Sequence, residues 1–246
     1  MLFATGELPA NEPFMLKKTL LIFSFFSFLT FFSGSYDRLD ATTRVVSPVM
    51  ATDFEDHSLL AEGAYAISTY DNLFRSISER EGNDWRLMSA IAYHESRFMP
   101  GLQSKRGARG IMQIMPSVAR QFHVDPEKLG DLKTNIWLAN RLLNELSDMM
   151  SIPKGTPDQD RLSLILAAYN GGIGHVSDAR RLARAHGANP HSWSDVSHYL
   201  KLKAEPAYYQ HEVVRNGRFT GYGQTAAYVE KVLNRYARYC RQVERN

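Results

Sequence analysis

An apolar repeat of helical period constrains the fold of this chain more than any other feature of its sequence. Its clearest instance is a set of residues separated by alternating steps of three and four, which places them on one face of a helix: Ile136, Ala139, Leu143, Leu146 and Met150. Asp131 precedes this stripe and is suited to cap the helix. A similar set predicts an amphipathic helix at the C-terminus: Val229, Val232, Leu233, Tyr236 and Cys240.

The rest of the chain after Tyr70 favours the same class of structure. The segment 162–168 is apolar all round, which is typical of a helix buried in the core. No alternating run of apolar and polar residues is long enough to predict a sheet, so we expect a mainly α fold. Clusters of glycine and proline predict loops at four places: Pro100–Gly101, Pro153–Pro157, Gly171–Gly174 and Gly217–Gly223.

The N-terminus has the pattern of an export signal. Lys17 and Lys18 precede the apolar run 20–32, and small residues follow it, so residues 1–35 are predicted to be a secretory signal peptide. The alternative is an uncleaved signal anchor, although the run is shorter than the roughly 20 residues that span a membrane. Translation could begin at Met1 or at Met15. Residues 36–69 lack sustained periodicity and are interpreted as a linker.

Charge, cysteine and histidine content exclude several classes of function. The net charge is only +3, without a dense Lys/Arg stripe interleaved with aromatic residues, so we expect no nucleic-acid partner. Cys240 is the only cysteine, which excludes an internal disulfide. His94, His123, His175 and His186 lack the spacing of metal ligands, so structural or surface roles are expected for them.

Glu95 ends an otherwise apolar face of a predicted helix. Asp84 can cap this helix, and Leu87, Ile91 and Glu95 follow at i, i+4 and i+8. Burial and the partly negative C-terminal end of the helix should both raise the Glu95 pKa, which suits a general acid. The alternative is a structural glutamate paired with a cation such as Arg97, and this segment alone leaves both interpretations open.

Two later segments offer polar groups of the kind that bind sugars. A glycine-rich loop from Gly107 to Pro116 presents Gln113, whose side chain can both donate and accept hydrogen bonds. Tyr169 and Asn170 end the buried segment 162–168 at a glycine-rich corner, where Tyr169 also supplies a flat apolar face.

Together these segments resemble, in order and spacing, three signatures of the soluble lytic transglycosylase catalytic domain. The segments are Glu95-Ser96, Gly110–Pro116 and Ala168–Gly172, and Thr225, Tyr228 and Val229 resemble a fourth signature. The likeness extends from about Tyr70 to Tyr239 and is strongest to the F type of the membrane-bound lytic transglycosylases. It implies that residues 70–246 form a lysozyme-like (goose-type) helical domain with a substrate groove.

The same resemblance implies a reaction and a set of site residues. Glu95 would cleave the β-1,4 bond between N-acetylmuramic acid and N-acetylglucosamine without water, leaving a 1,6-anhydro end. Ser96 would orient Glu95, and Tyr228 would hydrogen-bond near it. Met112, Gln113, Tyr169 and Asn170 would line the sugar subsites. No cofactor or metal is implied. The expected partner is the peptidoglycan glycan strand, bound by a monomer in the periplasm, with membrane association only through the N-terminal segment.

Three alternatives remain at this point. A goose-type lysozyme would use the same glutamate with water and a second carboxylate, and the candidates for that carboxylate lie outside the motifs: Glu127, Asp131, Asp148, Asp158 and Asp160. A non-catalytic glycan-binding module would not require Glu95, and a membrane-anchored scaffold would leave the motifs unexplained. Gln224 departs from the family pattern, because many relatives have glutamate there.

Overall fold

The computed structural model describes residues 66–245, and within that range all regular elements are helices. The predicted signal segment and most of the predicted linker lie outside the described residues. The α-helices are α1 (Asp71–Arg80), α2 (Trp85–Ser96), α3 (Pro116–Gln121), α4 (Leu132–Met150), α5 (Asp158–Gly171), α6 (Ile173–Ala185), α7 (Trp193–Leu202), α8 (Pro206–Tyr209) and α9 (Tyr222–Val243), with a 3₁₀ helix at Pro126–Gly130 between α3 and α4. The mainly α class is therefore confirmed.

Both predicted helix caps are present. The Asp84 carboxylate accepts a hydrogen bond from the Arg86 backbone N–H at 2.8 Å, and α2 begins at Trp85. The Asp131 carboxylate accepts from the Thr134 N–H at 2.7 Å, and α4 begins at Leu132. Each cap satisfies an N–H group that has no partner within its own helix.

Helix α5 lies at the centre of the packing, in contact with α4, α6, α7 and α9. Residues 163–171 of α5 are all buried, which confirms the predicted core helix. The α4 stripe from Ile136 to Met150 is buried as well. Helix α9 packs against both α2 and α5, so it covers the C-terminal ends of the two helices that carry the motif residues.

A buried ion pair attaches the end of α7 to α6. Asp178 and Lys203 have no exposed side-chain surface, and their carboxylate and ammonium groups are 2.6 Å apart. The Asp178 carboxylate also accepts from the backbone N–H groups of Arg215 and Asn216, both at 2.9 Å. Arg215 and Asn216 belong to the segment between α8 and α9, so the Asp178 carboxylate helps to set where α9 begins.

One predicted loop is wrong. We expected a loop at Gly171–Gly174, but α5 ends at Gly171 and α6 begins at Ile173. Gly172 alone turns the chain, with a positive φ of 92° that an L side chain rarely adopts. A single glycine is sufficient for this turn because glycine has no Cβ atom and adopts a positive φ without steric strain. No helix between residues 66 and 245 is long and apolar enough to cross a membrane.

Candidate active site

Glu95 lies in the last turn of α2, at the C-terminal end of the apolar face of the helix. Leu87 and Ile91 on that face are buried, and Glu95 is half-buried. Two residues with positive φ, Arg97 at 56° and Phe98 at 61°, turn the chain immediately after the helix. The predicted arrangement of a carboxyl group at the end of an apolar stripe is therefore present.

The carboxyl group of Glu95 is the most perturbed acid of the site. Burial raises the pKa of Glu95 to about 7, and the Tyr228 hydroxyl opposes part of this rise. That hydroxyl is buried and, among the described residues, has no hydrogen-bond partner of ordinary length and angle. The Tyr228 hydroxyl therefore lies close enough to Glu95 to lower the pKa of the carboxyl group. Its contact with Glu95 does not have the length and angle of an ordinary hydrogen bond. An acid with this pKa holds its proton near neutral pH and can also release it.

Tyr169 of α5 completes a cluster with Glu95 and Tyr228. Its hydroxyl donates to the Met112 carbonyl oxygen at 3.1 Å. Burial and the negative charge of Glu95 raise the pKa of both tyrosines well above the ordinary value. Both hydroxyls therefore stay protonated at neutral pH. The structure brings together three predicted site residues from α2, α5 and α9.

Arg97 does not neutralise Glu95. Its guanidinium group stacks over the Tyr93 ring instead, 4.1 Å from the ring centroid. In the part of the chain that the structure describes, no charged group contributes to the Glu95 pKa, which depends on burial and Tyr228 alone. The structural alternative of a Glu95–Arg97 pair is therefore wrong.

The candidates for a second carboxylate have other contacts. Glu127 forms an ion pair with Arg109 at 3.2 Å, and Asp131 caps α4. Asp160 accepts a hydrogen bond from the Trp193 backbone N–H at 2.8 Å. Asp148 and Asp158 lie in the last turn of α4 and the first turn of α5. None of them is close enough to perturb Glu95.

Ser96, Met112 and Gln113 are buried and contact the protein itself. The Ser96 hydroxyl donates to the Ile111 carbonyl oxygen at 2.7 Å, which attaches the end of α2 to the glycine-rich loop. Gln113 donates through its side-chain amide to the carbonyl oxygens of Leu102 and Gly110, both at 2.9 Å. Met112 is fully buried. These contacts shape the loop beside Glu95. The orientation of Glu95 by Ser96 and direct contact of the three residues with a sugar stay predictions.

Asn135 is a structural residue of the site that sequence reasoning missed. Its side-chain oxygen accepts from the Met112 N–H at 2.8 Å, and its amide donates to the carbonyl oxygens of Arg109 and Leu129, both at 3.0 Å. A Cβ atom at Gly110 would lie 2.5 Å from the Asn135 side chain, so glycine is required there. The available signal was an asparagine directly before the apolar stripe of α4.

Asn170 joins α5 to α9. Its side-chain oxygen accepts from the Thr225 hydroxyl at 3.0 Å, and both residues are buried. Next to it, a Cβ atom at Gly171 would lie 2.9 Å from the Thr225 oxygen. The glycine after Asn170 therefore permits the close approach of α9 that places Tyr228 beside Glu95.

A pocket of about 210 Å³ opens beside this cluster, at the N-terminal end of α9. Its lining comes from three helices: His94 of α2, Asn170 of α5, and Gly223, Gln224, Ala227, Tyr228 and Lys231 of α9. Sequence reasoning identified Asn170 and Tyr228 but not His94 or Lys231. The signal for Lys231 was its helical spacing from Gln224 and Tyr228, which places the three on one face.

Comparison with known proteins finds one matching family. Residues 72–192 match the transglycosylase SLT domain. The chain is 37% identical over 167 residues to the membrane-bound lytic murein transglycosylase F of Alcanivorax borkumensis, covering 68% of this chain and 34% of that protein. Its counterpart in Aeromonas hydrophila is 33% identical over 211 residues, covering 84% of this chain and 40% of that protein.

The chain thus spans between 34% and 40% of the length of these two relatives. Among solved structures, the 70 kDa soluble lytic transglycosylase of Escherichia coli superposes with a TM-score of 0.48 at 24% identity. That superposition covers 69% of this chain and 24% of the other.

Proposed function

Residues 72–192 of this chain belong to the transglycosylase SLT domain family, and from that premise we propose that the protein is a lytic transglycosylase that cleaves peptidoglycan glycan strands. The observation that carries the proposal is Glu95, a half-buried acid whose pKa is raised to about 7 and which, among the described residues, has no charged neighbour that perturbs it. One such group suits a reaction in which the same carboxyl gives and then takes a proton.

In the first step Glu95 acts as the acid. Its carboxyl O–H protonates the glycosidic oxygen between N-acetylmuramic acid and N-acetylglucosamine, and the bond from that oxygen to the muramic C1 breaks. N-acetylglucosamine leaves with the proton as a free hydroxyl at its C4. The acetamido oxygen of the muramic residue stabilises the positive charge at C1, which replaces the second carboxylate of most glycosidases.

In the second step the Glu95 carboxylate acts as the base. It takes the proton from the C6 hydroxyl of the muramic residue as that oxygen bonds to C1, which closes the 1,6-anhydro ring and restores the acid. No water is consumed. Because the C6 hydroxyl is tethered to the reacting ring, proximity can contribute several kcal/mol. The Tyr228 hydroxyl, beside Glu95, is suited to stabilise the transient carboxylate by a hydrogen bond.

The surrounding residues fit supporting roles in this scheme. Asn170, which lines the pocket, would contact the sugars. The buried Tyr169, through its bond to the Met112 carbonyl oxygen, and Ser96, Met112 and Gln113 would hold the glycine-rich loop in place. The site of action would be the cell envelope, reached through the predicted signal at residues 1–35, with the protein working as a monomer. N-terminal sequencing of the envelope fraction should then find a chain that begins after about Ser35.

Mass spectrometry of the digestion products tests the reaction. Purified peptidoglycan treated with the full chain should acquire muramic ends that are lighter by one water than a hydrolytic end and that lack a reducing terminus. A Glu95→Gln variant should release neither product. Mostly reducing muramic ends would refute the non-hydrolytic step and move the protein to the lysozyme interpretation.

A further inference from the structure

We propose that the pocket at the N-terminal end of α9 binds a carboxylate carried by the muramic residue next to the cleaved bond. The proposal rests on the proposed function and assigns to this pocket the recognition of the anionic arm of the substrate. That arm distinguishes N-acetylmuramic acid from N-acetylglucosamine, which carries no acidic group. The pocket would therefore set which sugar lies at the reacting position.

The pocket has a cation and lacks acidic side chains. Lys231 lies on its rim, and no carboxylate between residues 66 and 245 forms an ion pair with the Lys231 ammonium group. None of the seven lining residues is acidic. Gln224 is one of them and carries no charge. The neutral side chain at this position removes a repulsion that a bound carboxylate would otherwise meet.

Two further cations, Arg97 and Arg235, act on His94 in the pocket lining. The Arg235 guanidinium donates to Nε2 of His94 at 3.3 Å. Burial lowers the pKa of His94 to about 4, and the charges of Arg235, Arg97 and Lys231 contribute to this. His94 is therefore neutral at neutral pH. The positive potential at the pocket comes from Lys231 and the two arginines.

Hydrogen-bond donors face the same space. The Asn170 side-chain oxygen is occupied by the Thr225 hydroxyl, which leaves the amide NH₂ as the part that a ligand can use. Gly223 belongs to the first turn of α9, and the N-cap Gly221 provides no side-chain cap. Free N–H groups and the helix dipole favour an anion at such an end.

Size and position match a substituent of the sugar. About 210 Å³ is less than the roughly 300–1,000 Å³ of pockets that enclose a whole small molecule, so the space suits a carboxylate-bearing arm and not a disaccharide. Tyr228 borders both the pocket and Glu95. A carboxylate bound there would therefore sit beside the acid that cleaves the bond. The bound carboxylate is either that of the lactyl group, in a strand without stem peptides, or one carried by the stem peptide.

Binding measurements on a non-cleaving background test this directly. The full chain carrying Glu95→Gln would be titrated, by NMR or calorimetry, with short glycan fragments that bear free lactyl carboxylates or stem peptides. The same fragments with every carboxylate converted to the methylamide serve as neutral ligands. The second substitution would be Lys231→Met, with Lys231→Arg retaining the charge. Arg241→Met removes a cation from an exposed position farther along α9 and is the matched control.

We expect Lys231→Met to weaken binding of the carboxylate-bearing fragments by about 3- to 5-fold, because exposed charge pairs contribute modestly. Binding of the methylamides should not change, Lys231→Arg should restore affinity, and Arg241→Met should have no effect. The fragment class that loses affinity identifies whether the lactyl or the peptide carboxylate is recognised. A loss common to charged and neutral fragments, or no loss at all, would overturn the proposal. Because no cleavage is measured, these outcomes are independent of whether the wild type forms anhydro ends.

Discussion

Replacement of Glu95 by glutamine should abolish cleavage and, at the same time, stabilise the protein at neutral and higher pH. Glu95 has a pKa of about 7 in the folded protein against an ordinary 4.5. Below pH 4.5 the group is protonated in both the folded and unfolded chains and has no net effect. As the pH rises towards 7, the unfolded chain loses the proton while the folded protein retains it. The folded protein therefore loses stability over that interval, and the loss stays constant above it.

The magnitude follows from the size of the pKa difference. About 2.5 pH units correspond to about 3 kcal/mol at 1.36 kcal/mol for each unit. Since Glu95 is half-buried and water screens part of this cost, about 2 kcal/mol is the realistic gain. For a chain of this size, that gain raises Tm by about 4–8 °C. The side chain of glutamine has nearly the same shape, so packing should not change.

Thermal unfolding between pH 4.5 and 8.5, followed by circular dichroism, measures the effect. The difference in Tm between Glu95→Gln and the wild type should be near zero at pH 4.5, increase through pH 7 and then level off. Glu230→Gln removes the same charge from an exposed position of α9 and controls for net charge. A difference in Tm that does not vary with pH would refute the argument that burial raises the Glu95 pKa. Cleavage within a few-fold of wild type would refute its catalytic role.

Three further substitutions test the site and the packing that supports it. Tyr228→Phe removes the hydroxyl that lowers the pKa of Glu95, so the alkaline limb of the pH–rate profile should move to higher pH and kcat should fall by up to about 10-fold. An alkaline limb at the same pH as in the wild type would contradict the role of Tyr228. Asn135→Ala loses three hydrogen bonds to backbone groups, so denaturant unfolding should show a loss of about 2–4 kcal/mol, and an unchanged midpoint would show that the loop needs no such support. Lys203→Met removes the buried one of the two cations that pair with the Asp178 carboxylate, the other being Arg181, which should cost about 3–5 kcal/mol in the same assay; a loss below 1 kcal/mol would mean that Arg181 and the backbone contacts of Asp178 suffice.

The sequence by itself determined the local structure and the family. The caps at Asp84 and Asp131, the stripe of α4 and the burial of α5 depend on residues a few positions apart, so period and capping chemistry were sufficient to predict them. The three motifs predicted a lytic transglycosylase SLT domain, and the family match confirms it. Glu95 could be singled out because a carboxylate at the end of an apolar stripe conflicts with the local pattern. The turn at Gly172 is shorter than the loop predicted at Gly171–Gly174, because a cluster of glycines does not reveal how few residues a turn needs.

Only the tertiary structure decided what surrounds Glu95. Tyr169 and Tyr228 come from helices far along the chain, and the positions of those helices depend on many weak packing contacts that no local period encodes. The same holds for Asn135, which holds the glycine-rich loop, and for Lys231, whose position on the pocket rim depends on how α9 crosses α2 and α5. The pKa of Glu95 likewise reflects the apolar and aromatic groups that tertiary packing assembles around it. The residue types were legible in the sequence, but their distances were not, because each distance is set by the packing of whole helices.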